Sequence, residues 1–205
     1  MKNLRFILIV LAVVVISSAS LNAAEEEIIV LIPGWGGERE QLSFLKENLS
    51  DSIVIVIKPA PMMPIHEAAD SILFKLKEKG LVQQQITLIG FSFGGLIARE
   101  LAGRYPELKI KKIIAIGTPN GGYWMVPGFI FSITPSSTPL YVIAGSRTTT
   151  EKWYLKTPND GAVDVKSVFS VPPETLKDSA IFPLSHLELI KSQEVANQIA
   201  AWLAE

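Results

Sequence analysis

The chain has 205 residues, of which 48% are hydrophobic, and this length and composition predict one domain with a substantial buried core. Its formal net charge is −1, and because lysine and arginine are scattered among aspartate and glutamate, the sequence has no basic patch of the kind that binds nucleic acid. The sequence contains no cysteine, so neither a disulfide nor a lipidated cysteine contributes to the protein.

The first 24 residues have the pattern of a signal peptide. Two basic residues precede the uncharged apolar run Phe6–Ile16, and small residues continue to Ala24. The run is shorter than the roughly 20 residues that span a bilayer. We therefore expect export to the periplasm or beyond, with cleavage near Ala23 or Ala24 favoured over retention as an inner-membrane anchor. A single domain is expected over residues 25–205.

Six short apolar segments after this leader predict buried strands. Most of them are continuous apolar runs, which are typical of strands covered on both faces of a parallel sheet. The segments are Ile28–Ile32, Ile53–Ile57, Ile86–Ile89, Lys112–Ile116, Leu140–Ala144 and Ser179–Phe182.

Helical patterns separate many of these segments. They cover Arg39–Asn48, Ile65–Lys79, Phe93–Tyr105 and Leu187–Leu203. Alternation of strand and helix predicts right-handed βαβ crossovers. The expected fold class is therefore α/β, with a mostly parallel sheet of about six strands and helices on both faces.

An uncharged stretch over residues 121–139 interrupts the alternation after the fourth strand. Aromatic and apolar side chains stand there among glycine, proline, serine and threonine, so we expect a loop or short helical excursion over a pocket. Two interpretations stay open: ordinary packing of an insertion, or an acyl-chain pocket, where each buried methylene contributes about 0.8 kcal/mol. The pocket would be formed by Tyr123, Trp124, Phe129 and Phe131.

A G-x-S-x-G sequence stands between the third predicted strand and the helix that follows it. In this context Ser92 occupies the sharp turn of a nucleophile elbow, while Gly90 and Gly94 leave room for neighbouring backbone. The alternative is that Ser92 merely caps the helix. The placement after a strand and before a helix favours the nucleophile.

A serine nucleophile needs an imidazole that takes its proton. The sequence has two histidines, His66 and His186. His186 follows the last strand, at the carboxyl edge where open α/β sheets bind ligands, whereas His66 begins an earlier helix and suits an exposed or capping side chain. The expected chain order of serine, aspartate and histidine also favours His186.

A carboxylate must orient this histidine. Asp160 lies between Ser92 and His186 in the turn Asn159–Gly161, which could direct its side chain toward the imidazole. Because Asp-Gly is also a common turn dipeptide, Asp164 and then Asp178 remain alternatives for this acid.

The oxyanion of a tetrahedral intermediate needs preorganised N–H donors. One is the backbone N–H of Phe93, the residue after the nucleophile. The other is expected from the glycine-rich turn after the first strand, where Trp35 supplies the N–H and Gly34 and Gly36 permit the backbone path.

With these residues the part after the leader resembles, over nearly its whole length, the bacterial triacylglycerol lipases and the wider lipase and esterase branch of the α/β-hydrolase superfamily. The resemblance implies an α/β-hydrolase fold in which Asp160 and His186 complete the triad of Ser92. It rests on patterns in the family's order: Pro33–Gly36, Gly90–Gly95, Gly117–Gly122, and Asn159–Gly161 followed by His186–Glu188.

Two departures from the family pattern bear on function. Pro33-Gly34 stands where the family usually has His-Gly, and the short chain leaves room for only a minimal lid. Many larger members bind structural calcium, but no carboxylate pair here has a spacing that requires it. We predict neither a metal nor a cofactor.

The expected activity is hydrolysis of acyl lipids or small acyl esters through an acyl-enzyme, with transient membrane-surface contact and no obligate protein partner. A triad does not distinguish oxygen esters from thioesters, amides or acylated envelope lipids and glycans, because all share the tetrahedral intermediate. A non-catalytic envelope protein that retains the fold is a further alternative, against which the complete serine, aspartate and histidine set argues.

Overall fold

A computed structural model describes residues 27–49, 53–59, 63–121, 132–148 and 155–205. The predicted leader lies outside the described residues, as do the four residues proposed for the acyl pocket. No helix in the described ranges is both long enough and apolar enough to cross a membrane.

The described residues form one six-stranded sheet in which every neighbouring pair of strands is parallel. The spatial order is β2-β1-β3-β4-β5-β6, which agrees with the predicted α/β fold class. The strands are β1 Ile28–Ile32, β2 Ile53–Val56, β3 Ile86–Phe91, β4 Ile110–Ile116, β5 Leu140–Gly145 and β6 Leu176–Phe182.

Five α-helices lie within the described ranges. They are α1 Ser43–Asn48, α2 Ile65–Glu78, α3 Phe93–Arg104, α4 Val165–Val168 and α5 Gln193–Leu203. The sequence patterns predicted α2 and α3 to within one residue at each end. The short helix α4 was not predicted.

Two helix boundaries differ from the predictions. The first predicted helix is divided, because a 3₁₀ turn over Arg39–Leu42 precedes α1. The last was predicted from Leu187, but a 3₁₀ turn over Leu189–Lys191 comes first. The α-helix then begins after Ser192, whose hydroxyl accepts the Val195 N–H and caps it.

The four inner strands, β1, β3, β4 and β5, are buried over most of their length, whereas the edge strands β2 and β6 are partly exposed. Along the inner strands, successive side chains enter different cores. On one face, α2 and α3 pack with Val30, Ile32, Leu88 and Val142. On the other face, α1 and α5 pack with Ile29, Leu31, Ile89 and Ile143. This arrangement explains the apolar runs of the inner strands, since neither face is left for polar side chains, whereas the edge strand β6 carries Lys177 and Asp178 on exposed positions.

The direction of strand addition reverses between β1 and β3. The connection from β1 leads through α1 to β2 at one edge, whereas the connection from β3 leads through α3 to β4 on the other side. Such a reversal opens a crevice at the carboxyl ends of the two strands, where α/β proteins bind ligands. The predicted oxyanion turn and the predicted nucleophile follow these two strands.

Candidate active site

A cavity of about 540 Å³ lies at this carboxyl edge. Its lining comes from five parts of the chain: the turn after β1, the 3₁₀ turn Arg39–Leu42, the end of β3, the loop before α4 and the turn after β6. Among the lining residues are Trp35, Gln41, Ser92, Asp160 and His186.

Ser92 occupies a strained backbone conformation between β3 and α3. Its φ of 54° and ψ of −121° make it the only non-glycine residue with positive φ in the described part of the chain. Such conformations persist where the surroundings enforce them, and they cluster at functional sites. Here the Ser92 N–H donates to the Ile116 carbonyl of β4, at 2.7 Å, which fixes the turn.

The two glycines that flank Ser92 are required by close backbone packing. A Cβ at Gly90 would lie 2.4 Å from the Gly94 carbonyl oxygen, and a Cβ at Gly94 would lie 2.2 Å from the Ile32 carbonyl oxygen. Neither backbone oxygen can move without shifting β1 or α3. The spacing that predicted the elbow thus has a steric cause in the fold.

The structure brings Asp160 and His186 into direct contact. The Nδ1 atom of His186 lies 2.6 Å from Oδ2 of Asp160, and the His186 N–H donates to the Asp160 carbonyl at 2.9 Å. An ionised carboxylate only accepts hydrogen bonds, so Nδ1 carries the proton. A neutral His186 then has Nε2 as its free acceptor.

The other carboxylate oxygen of Asp160 is bound within its own turn. Oδ1 accepts the backbone N–H groups of Ala162, at 2.9 Å, and Val163, at 2.7 Å. The side chain is almost completely buried. Both oxygens therefore have fixed partners, and the carboxylate cannot rotate away from His186 without losing them.

Small residues at the strand ends make space for this pair. The His186 ring packs against Phe91, with 4.7 Å between the ring centroids. A Cβ at Gly117, where φ is +54°, would lie 3.1 Å from the same ring, and a Cβ at Gly145 would lie 2.7 Å from Cβ of Asp160. The carboxyl ends of β4 and β5 thus shape the histidine pocket.

The alternative residues have other partners. Asp164 caps α4 by accepting the Ser167 N–H at 2.6 Å, and Asp178 accepts the indole N–H of Trp202 at 2.7 Å. His66 is exposed, as expected, and its Nδ1 also lies 2.7 Å from the buried Glu100 carboxylate.

The turn after β1 lies beside Ser92. A Cβ at Gly34 would lie 3.1 Å from Cβ of Ser92, and the exposed Trp35 ring meets the Phe93 ring edge-on at 5.0 Å. The two residues predicted to donate to an oxyanion are therefore neighbours. Sequence reasoning missed Gln41, whose side-chain oxygen accepts the Gly34 N–H at 2.9 Å.

The turn that carries His186 is held by hydrogen bonds between Ser185 and Glu188, which sequence reasoning also missed. Both the N–H and the hydroxyl of Ser185 donate to one Glu188 carboxylate oxygen, at 2.8 and 2.6 Å, and Arg147 pairs with the other. These contacts, that of Arg147 foremost, lower the pKa of Glu188 to about 2. The S-x-x-E pattern over Ser185–Glu188 was the available sequence signal.

Comparison with known proteins gives matches both in sequence and in fold. A family model described as palmitoyl protein thioesterase matches residues 45–164, which include Ser92 and Asp160 but not His186. The biotin biosynthesis bifunctional protein BioHC of Teredinibacter turnerae is 34% identical over 98 residues, or 44% of this chain. The chain spans only 17% of the length of that relative.

Solved structures of similar fold include a lipase and a thioesterase. The Bacillus licheniformis lipase BlEst2 superposes with a TM-score of 0.67 at 15% identity, covering 87% of this chain and 91% of its own. The RedJ thioesterase of the Streptomyces coelicolor prodiginine pathway superposes with a TM-score of 0.62 at 14% identity, covering 88% and 90%. At these identities the likeness supports the α/β-hydrolase fold alone.

Proposed function

The chain belongs to the palmitoyl protein thioesterase family, and on that premise we propose that it is a serine hydrolase that releases acyl groups from thioesters or oxygen esters. The observation that carries the proposal is the shared cavity of Ser92, His186 and Asp160, with His186 hydrogen-bonded to the buried carboxylate. In this proposal Ser92 is the nucleophile, His186 the base and Asp160 the orienting acid.

Acylation uses the free acceptor of the imidazole. As the Ser92 oxygen attacks the acyl carbonyl carbon, His186 Nε2 takes the hydroxyl proton, and Asp160 stabilises the imidazolium that forms. The backbone N–H groups of Trp35 and Phe93 hold the oxyanion. The bond to the leaving group then breaks, and His186 returns its proton to the departing thiolate or alkoxide.

Deacylation repeats these steps with water as the nucleophile. His186 takes a proton from the water, whose oxygen attacks the acyl-serine carbonyl carbon. The second tetrahedral intermediate releases the carboxylic acid and restores the Ser92 hydroxyl. Each proton that His186 takes from a nucleophile is returned to a leaving group, so the cycle ends with the protein in its starting protonation state.

The leaving group is the part of the substrate that the triad does not determine. The family description favours a thioester, whereas a lipase of the same fold favours an oxygen ester. A thiolate leaves more readily than an alkoxide because the thiol is the stronger acid. We therefore place acyl thioesters first and oxygen esters second.

The test is hydrolysis of matched acetyl, octanoyl and palmitoyl oxygen esters and thioesters by the purified protein. We expect turnover of both classes and a loss of at least about 10³-fold in kcat for Ser92→Ala, since loss of a nucleophile removes most triad catalysis. Ser170→Ala, in a serine whose hydroxyl donates to the Lys166 carbonyl, is the matched control and should retain activity.

Two results would redirect the proposal. A wild type that hydrolyses neither class and is not labelled by a fluorophosphonate contradicts a serine hydrolase and favours the non-catalytic alternative. Faster turnover of acetyl than of octanoyl substrates contradicts the acyl pocket predicted from Tyr123, Trp124, Phe129 and Phe131, which remains a prediction.

A further inference from the structure

Gln41 holds the turn that is proposed to supply the oxyanion donor. Its side-chain oxygen accepts the Gly34 N–H at 2.9 Å, although seven positions separate the two residues. We infer that Gln41 is a positioning residue for the Trp35 N–H and acts through this turn. The inference rests on the proposed function, since it needs an oxyanion to be stabilised there.

The turn is shaped around the Gln41 side chain. A Cβ at Gly37 would lie 2.1 Å from the Gln41 side-chain oxygen, so a larger residue at this position would displace the Gln41 amide. The Gly37 N–H donates to the Gly34 carbonyl at 3.0 Å, and Gly36 has a φ of +63°. These contacts close the turn while its first N–H points to Gln41.

Gln41 is itself anchored in the fold. It lies in the 3₁₀ turn Arg39–Leu42, and the next residue, Leu42, is buried in the core that α1 and α5 cover. The side chain thus links a fixed part of the core to an exposed turn whose tip, Trp35, is 55% exposed. This link adds to the contacts that the turn makes with Ser92 and Phe93.

The position of Gly34 explains why the link affects catalysis. Gly34 stands against Ser92, and Trp35 is the next residue along the chain, so a shift of Gly34 displaces the proposed donor. The Gly34 N–H already donates to Gln41, so the Trp35 N–H is the one left to donate to the oxyanion. A misplacement of about 1 Å in a catalytic group lowers rates by about 10²-fold.

The experiment compares wild type with Gln41→Met, which keeps the length of the side chain but loses the amide. We expect kcat on an octanoyl thioester to fall about 10- to 100-fold, with KM changed less than about threefold. Hydrogen exchange followed by NMR should show faster exchange of the Gly34 amide in the variant. Asn48→Leu is the control, because it also removes a side-chain amide that bonds to the backbone, but on the neighbouring helix α1. The Asn48 amide donates to the Phe44 carbonyl at 2.8 Å.

Each outcome bears on the inference. A fall in kcat with unchanged KM, faster Gly34 exchange, and full activity of the Asn48 variant support it. A kcat within twofold of wild type, a change confined to KM, or an equal loss in the control overturns it. A fall in kcat without faster Gly34 exchange also overturns it, since Gln41 then acts directly on the substrate. An inactive wild type contradicts the proposed function instead, and Gly34 exchange still reports whether Gln41 holds the turn.

Discussion

At the scale of single residues, Asp160 combines a structural role with its proposed catalytic one, and the two can be separated. Its Oδ1 holds the backbone of its turn, while Oδ2 faces His186. Asparagine in its place can keep the first contacts through its carbonyl oxygen, but it presents an N–H group to Nδ1. A neutral His186 must then carry its proton on Nε2 and cannot accept that of Ser92.

We therefore expect Asp160→Asn to lower kcat/KM by about 10⁴-fold while the midpoint of thermal unfolding stays close to that of wild type. Steady-state kinetics and a thermal melt measure the two effects. Asp164→Asn is the control, because asparagine also caps helices well and Asp164 serves α4. Loss of activity in the Asp164 variant, with Asp160→Asn active, would move the acid role to Asp164.

At the scale of elements, the turn between β6 and α5 carries His186 and depends on charge. The pKa of Glu188 is lowered from 4.5 to about 2 by Arg147 and Ser185, so the fold favours its ionised form. The resulting stabilisation is complete above the ordinary pKa. It is lost as the pH falls from about 4.5 toward 2, when the carboxylate becomes protonated.

Glu188→Gln removes this titration but leaves a side chain of the same shape. We expect the difference in thermal midpoint between pH 7 and pH 3 to be smaller in the variant than in wild type. High salt should reduce the contrast, since the Arg147 pair is open to solvent. If, at low salt, the difference in thermal midpoint between pH 7 and pH 3 is the same in the variant as in wild type, ionisation of Glu188 does not stabilise the fold.

The sequence predicted the elements best where one physical signal dominated. The bounds of β1 and its place in a parallel sheet follow from an apolar run buried on both faces. The elbow was predictable because close backbone contacts require glycine two residues before and two residues after Ser92. The start of α5 was predicted wrongly, because its apolar period continues backward through Leu187 and Leu189 while Ser192 sets the boundary.

The contacts that position the site were less predictable. Gln41 reaches Gly34 only because a 3₁₀ turn brings the chain back over the oxyanion turn. Arg147 meets Glu188 because β5 and β6 are adjacent, a pairing that no local pattern encodes. Both side chains would pass as ordinary surface residues in the sequence.

At the scale of the whole molecule, one sheet separates two cores, and the site draws on both. The side chain of Ile72 on α2 is buried in one core, and that of Trp202 on α5 is buried in the other. The turn proposed to hold the oxyanion follows β1 and the proposed nucleophile follows β3, two strands whose side chains enter both cores. The geometry of the site therefore requires that the two cores form together, as the predicted single domain implies.

Paired substitutions test this requirement. Ile72→Val should lower the free energy of unfolding by about 0.5–1.5 kcal/mol. Trp202→Phe should lower it by about 1–3 kcal/mol, because the buried indole is replaced by a smaller ring that leaves a cavity. Urea unfolding of the double variant should show one transition. Its loss in free energy of unfolding should equal the sum of the two single losses within about 0.5 kcal/mol, since the two sites share no partner. Two transitions, each shifted by only one substitution, would mean that the cores unfold separately, and the single-domain prediction would be wrong.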